Sequence, residues 1–276
     1  MSIPSDLPPR FEIRRLGPEH IDWANAIVLH SNGYSSPIWP VTYPDTVDEN
    51  GNRSLTARLY KAFHGGNGYL MAHQVASGFS FGVFDKEYKF KREESKATGG
   101  KLYWNFDDLT ATREQLLEQM DFPLVSVAMS FDLVNPLDFS QMQGMLEALP
   151  LFATIYGKLT EADRRGPLQN WGPKNAGEVL QRNATATRED YMDHKIMKKL
   201  AHWLMRKAAS EGFKGIHIEA FHDAVIHTWL NPPAPFKAEH ISEVNVKDLE
   251  EEVDGKLVKY DYVDQRCVRI FVTLKD

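Results

Sequence analysis

Glu178-Val179-Leu180-Gln181-Arg182-Asn183-Ala184-Thr185-Ala186-Thr187, followed by the polar turn Arg188-Glu189-Asp190-Tyr191-Met192, opens the stretch on which the fold turns. The first ten residues read as one strand. From about Asp193 to Glu211, Ile196, Leu200, Trp203 or Leu204, and Ala208 recur at helical spacing and make one apolar face. Gly212 supplies a helix stop. Gly215-Ile216-His217-Ile218-Glu219-Ala220 reads as the next strand, and Asp223 opens a short helix that ends before Pro232-Pro233. Strand, turn, helix, strand and helix in this order form a βαβ-type unit, whose ligand site lies at the carboxyl ends of the strands.

Upstream, Phe11 to Leu16 alternates as a strand, Gly17-Pro18 breaks it, and residues 18–30 repeat apolar side chains at helical spacing. Ser31 to Arg53, rich in Pro, Ser, Gly, Asn and aromatics, reads as a long ordered loop, and Leu55 to Phe63 as a short helix. The following His64-Gly65-Gly66-Asn67-Gly68 lacks the lysine and hydroxyl of a Walker loop and reads as a turn. Val75 to Phe84, Lys101 to Phe106 and Leu124 to Leu133 are strand candidates, and a helix is expected near Arg113–Met120. Lys86 to Gly100 is expected to be a mobile excursion, and Met142 to Lys158 a helix bent at Pro150. Arg164 to Ala176 reads as loop. The acidic run Lys247 to Asp254 reads as a solvated loop, and Val268 to Leu274 as a final strand. No period repeats and no linker stands out, so one domain over 1–276 is expected, with insertions at about 31–53 and 86–176.

The 276 residues carry a net charge of −6 with both signs mixed, which gives no basic footprint for nucleic acid. At 42% hydrophobic, the chain can bury a sizeable core. No run approaches the roughly 18 apolar residues of a membrane span, and Met1 to Arg10 lacks the apolar core of a signal peptide. A cytoplasmic protein is therefore expected. The lone Cys267 excludes an internal disulfide and a multi-cysteine zinc site. His222 and His227 are five apart, poor spacing for one helical face, and no metal is expected.

The 178–237 unit resembles the cofactor-binding core of the GNAT (Gcn5-related N-acetyltransferase) superfamily, and Phe11 to Leu16 with its helix resembles the family's first strand and helix. Thr187 to Met205 and Asn231 to Phe236 are similar to a group of fungal GNAT-like proteins. The resemblance implies an α/β fold with a mixed, twisted sheet flanked by helices. It also implies a pantetheine-binding strand end at Thr185 and Thr187, and a pyrophosphate turn at His194, Lys195, Ile196 and Met197. A helix start offers bare N–H groups to an anion. The family's arginine or glutamine falls on Met192, its two glycines on Lys195 and Met197, and its tyrosine near Asn231.

Glu219 and His217 are two apart on the strand facing the crevice, hence on one face, and are the candidate bases. Trp39, Tyr43, Trp104, Phe106 and Trp229 are numerous enough to line an apolar pocket, which would suit an aromatic or hydrophobic small-molecule substrate. The function implied is direct transfer from acetyl-CoA, or another acyl-CoA, to an amine or hydroxyl. The alternative is a GNAT-like protein that no longer uses coenzyme A, either a binding protein or an enzyme of different chemistry in secondary metabolism.

Overall fold

A computed structural model describes residues 3–253 and 255–275. Phe11–Arg15 forms β1, Ile21–Ser35 α1, Trp39–Thr42 α2, Ser54–Ala62 α3, Gly68–Ala76 α4 and Phe81–Asp85 β2. Glu93–Thr98 (α5), Lys101–Leu102 (β3), Arg113–Glu118 (α6), Met120–Asp121 (β4) and Leu124–Asp132 (β5) follow. Gln143–Ala148 (α7), Pro150–Glu161 (α8) and Leu168–Trp171 (α9) lead into Val179–Thr187 (β6), Ile196–Glu211 (α10), Gly215–Ala220 (β7) and Asp223–Leu230 (α11). Lys237–Asn245 (β8), Glu250–Val253 (β9), Lys256–Lys259 (β10) and Arg266–Thr273 (β11) complete the chain.

Seven strands make one sheet in the order β1-β2-β5-β6-β7-β11-β8. Every neighbouring pair is antiparallel except β6 with β7, which are parallel and joined by α10 as the βαβ pattern requires. The central strands are covered on both faces. Val125, Leu180, Ile216 and Ile218 pack toward α10 and α11, while Val127, Met129 and Ala186 pack toward α1 and the helices around it.

Several expectations are corrected. The segment expected to alternate from Val75 is partly helix, because Leu70, Met71, Gln74 and Val75 recur every three or four residues and bury one face of α4. The stretch Lys101 to Phe106 yields only two strand residues, after which Trp104 turns inward and donates to Leu116 O at 2.9 Å. The expected excursion 86–100 carries α5 and is pinned by buried Asp121, which accepts from the backbone N–H of Lys91 and Arg92 at 3.0 Å each. The acidic run holds a helical turn and the β9–β10 hairpin, with Glu251 accepting from Thr154 Oγ1 at 2.5 Å. Its last residue, Asp254, lies outside the described residues, as do Met1 and Ser2.

The glycine cluster at 65–68 serves packing. A Cβ on Gly65 would lie 2.8 Å from the backbone of Gly144, and Gly66 takes a φ of 129°, so helix α7 crosses here backbone to backbone.

Candidate active site

β6 and β7 pair only from Val179 opposite Gly215 to Arg182 opposite Ile218. Beyond that point β6 continues along β5 to Thr187, and β7 continues along β11 to Ala220, so the two strands part. A cavity of about 600 Å³ fills the fork. Asn183 to Thr187 line it on one side, Glu219 and Ala220 on the other, and Met192 and Lys195 to Lys198 lie along it.

The β6 edge that β7 abandons faces this cavity with its backbone. Arg188 N donates to Val125 O at 2.8 Å, which makes those facing residues a hydrogen-bonded pair. Antiparallel pairs alternate, so Thr187 and Thr185 turn their N–H and C=O groups away from β5 and toward the fork.

The turn before α10 keeps an unusual backbone. Glu189–His194 winds as a 3-10 segment, and Lys195 then adopts φ 53° and ψ 31°, the only positive φ of a non-glycine among the described residues. Such a conformation costs an L-residue about 1–2 kcal/mol and is the one glycine accepts freely. The position that the family pattern assigns to glycine thus keeps a glycine-like backbone while carrying a lysine. No side chain caps the start of α10. Lys195, Ile196 and Met197 all line the cavity. His194 does not: its ring packs 5.5 Å from Phe11 and 5.8 Å from Tyr191.

Glu219 is 9% exposed and lines the fork; His217 is 3% exposed and lies beneath it, outside the cavity lining. Alternation puts both on one face, as expected, but in a closed polar ring. His217 Nδ1 donates to Gln181 Oε1 at 2.7 Å, and Gln181 Nε2 donates to Glu219 Oε2 at 2.7 Å. Arg269 Nε lies 3.3 Å from Glu219 Oε1, and Arg269 Nη1 donates to Asp163 Oδ2 at 3.2 Å. Arg165 closes the ring, bonded to both oxygens of Asp163 and 3.3 Å from His217 Nε2.

The arrangement fixes the protonation states. Burial, then the charges of Arg269 and Arg165, push His217 well below the usual histidine range, so the ring is neutral, with Nδ1 protonated and Nε2 accepting. Burial raises Glu219, against the pull of Arg269 and the Gln181 amide. Burial would also raise Asp163, but the hydrogen bonds from Arg165 and Arg269 hold it at about 2. Glu219 is the only carboxylate lining the cavity among the described residues.

Aromatic rings wall the cavity on the same face. Trp39, Phe152, Tyr156 and Phe221 are in successive contact, at 5.7 Å, 4.8 Å and 5.3 Å between ring centroids. Of the aromatics singled out from the sequence only Trp39 lines the cavity; Tyr43 stacks behind it. Trp104 and Phe106 join Tyr60 and Phe63 in a separate packing group, and Trp229 is fully buried. Asn231 sits at the end of α11, its amide donating to His227 O at 2.8 Å; the α11 residues that line the fork are Ala224, Val225, His227 and Thr228. His202 on α10 is half-buried and pushed down by burial, with its Nε2 unpartnered among the described residues.

Gln181, Arg269, Asp163, Arg165, Phe152, Tyr156 and Phe221 were missed in the sequence reading. A usable signal existed for two of them: Arg269 interrupts the apolar run Val268 to Val272, and Gln181 follows Val179-Leu180 in a strand buried on both faces. The loop residues Asp163 and Arg165 carried none.

A parallel pair that forks in the middle of a mixed seven-stranded sheet, with a helix starting at the fork, defines the GNAT fold, and this chain has it. Among solved structures it is similar to the C-terminal condensation domain of Ebony in complex with beta-alanyl-dopamine, over 95% of this chain and 97% of that one, with TM-score 0.58 and 15% identity. It is also similar to arylalkylamine N-acetyltransferase 2 from Aedes aegypti, over 96% and 99% of the two chains, with TM-score 0.53 and 12% identity. No protein-family profile matches the sequence, and no curated protein matches it. No described helix is long and apolar enough to cross a membrane, and no described cluster of side chains could hold a metal ion.

Proposed function

We propose that this protein transfers an acyl group from a coenzyme A thioester to the amine of an aromatic small molecule. The observation that carries the reading is the fork itself: it places unpartnered strand backbone, an uncapped helix start and one buried carboxylate around a single cavity. The left-handed backbone at Lys195 and the uncapped N-terminus of α10 suit a diphosphate, with Lys195 adding a charge that the family's glycine lacks. Coenzyme A would supply the thioester. The wall of Trp39, Phe152, Tyr156 and Phe221 beside Glu219 suits an aromatic ring carrying a basic nitrogen.

The chain's own residues then have distinct tasks. Glu219, raised by burial, takes the proton that the neutral acceptor amine loses as the C–N bond forms. The N–H of Thr185 receives the negative charge developing on the carbonyl oxygen. The C–S bond breaks, and the thiolate leaves as a thiol with a proton from the medium. His217 holds Gln181, and Gln181 holds Glu219, so His217 positions the base without touching substrate.

The test is thiol release from acetyl-CoA with 2-phenylethylamine and with an aliphatic amine of similar length. Faster release with the aromatic amine supports the reading; no release with either contradicts it. A second reading, a protein with this fold that works without coenzyme A, is favoured by the side chain of Met197 at the family's other glycine position.

A further inference from the structure

Arg182 stands at the point where the strands part, and nothing in the chemistry above uses it. It is 1% exposed, and it is the last residue of β6 paired to β7. Its neighbour Gln181 faces the polar ring, so Arg182 points through the other face of the sheet, beside Ile218 and under α10. A buried arginine normally meets a carboxylate. This one meets none among the described residues. Its Nη1 donates to Met129 O and Ala184 O, and its Nη2 to Thr185 Oγ1. Burial pushes it down to about 9, so it stays charged at neutral pH.

The register explains why it is there. β5 and β6 slip by one residue between Met129 and Ser130, and Asn183 is the extra residue on the β6 side. The guanidinium fills the disturbed ladder at that bulge. One consequence reaches the cavity. The oxygen of Ala184 belongs to the peptide whose nitrogen is that of Thr185, and that N–H faces the fork. A charged donor on the oxygen of a peptide draws electrons from its nitrogen and makes its N–H a stronger donor.

We infer that Arg182 is a positioning residue for catalysis: its uncompensated charge behind the Ala184–Thr185 peptide strengthens the Thr185 N–H as an oxyanion donor. The inference rests on the acyl-transfer reading of the fork. A filler of the bulge would need only hydrogen-bond donors; a polarising group needs its charge. Removing a whole oxyanion-hole donor costs on the order of 100- to 1000-fold in kcat, so weakening one costs less, about 10- to 100-fold.

The experiment compares Arg182→Lys with Arg182→Gln. Both shorten the side chain and keep an N–H donor, and only lysine keeps the charge. Expected are a kcat for Arg182→Gln about 10- to 100-fold below wild type with donor KM within about threefold, and recovery of most of that loss in Arg182→Lys. Because a buried lysine is readily deprotonated, kcat of the Arg182→Lys enzyme is also expected to fall between pH 7 and 9, where wild type does not. That profile is measurable even if Arg182→Gln fails to fold. Equal kcat in wild type and Arg182→Gln, or a pH-flat Arg182→Lys enzyme no better than Arg182→Gln, overturns the inference while leaving acyl transfer intact. A wild-type protein that neither binds nor turns over acyl-CoA sinks the acyl-transfer reading itself, and this inference with it.

Discussion

Arg182 and Arg269 are both buried beside the same fork, on opposite faces of the sheet, and their surroundings differ completely. Arg269 lies between Asp163 and Glu219, within 3.3 Å of a carboxylate oxygen of each. Arg182 is surrounded by carbonyls and a hydroxyl. On the first face, charge is balanced inside a ring of six side chains, in which burial pushes His217 down and Glu219 up while the arginines hold Asp163 low. On the second, Arg182 meets no carboxylate among the described residues, and the peptide it bonds turns its N–H toward the cavity. On the proposed acyl-transfer reading the two faces divide the work: one removes a proton, the other strengthens the donor that receives a developing anion.

The comparison breaks most sharply at Glu219. Glu219→Gln keeps the shape of the ring and removes the base, so kcat should fall by about 100- to 10,000-fold with the donor affinity retained. On the proposed reading the working form in wild type is the carboxylate. Since burial raises its pKa, kcat/KM should rise with pH through a midpoint above the usual carboxylate range, and that limb should vanish in the variant. A variant with wild-type activity would move the base elsewhere.

The aromatic wall tests the same face with a smaller effect. Phe221→Ala should raise the KM for an aromatic acceptor about tenfold, since ring contacts are worth roughly 0.5–1.5 kcal/mol each, and leave donor affinity unchanged. Loss of donor affinity instead would place the donor, not the acceptor, against these rings.

Lys195 sharpens the second face. Lys195→Gly removes the left-handed strain and should stabilise the fold by about 1 kcal/mol, read as a melting-temperature rise of a few degrees at most. Lys195→Ala keeps the strain and should not raise it. Both lose the ammonium and should weaken coenzyme A binding by several-fold. If Lys195→Gly binds coenzyme A more tightly than wild type, the lysine obstructs the turn.

The two faces were not equally legible in the sequence. The βαβ unit announces itself through helical spacing from Ile196 to Ala208 and the stop at Gly212, which takes φ 108°. That Glu219 and His217 share one face follows from period-two alternation, which is reliable in a short strand. Their partners come from β6, the loop after α8 and β11, segments 36 or more residues away, and local patterns carry no information about such meetings. The helical spacing points to a start near Asp193, three residues before α10 begins, because a 3-10 turn and a helix share similar spacing. In the sequence Arg182 is only part of a strand; a bulge depends on the partner strand, and single-strand periodicity does not show it.

The central claim is that the fork takes up a coenzyme A thioester. Calorimetric titration of the wild-type protein with acetyl-CoA, with desulfo-CoA as a non-reacting control, tests it most directly. Saturable binding of one equivalent of each, weakened by Lys195→Ala, is the predicted result. No heat and no change in melting temperature at millimolar ligand would contradict it.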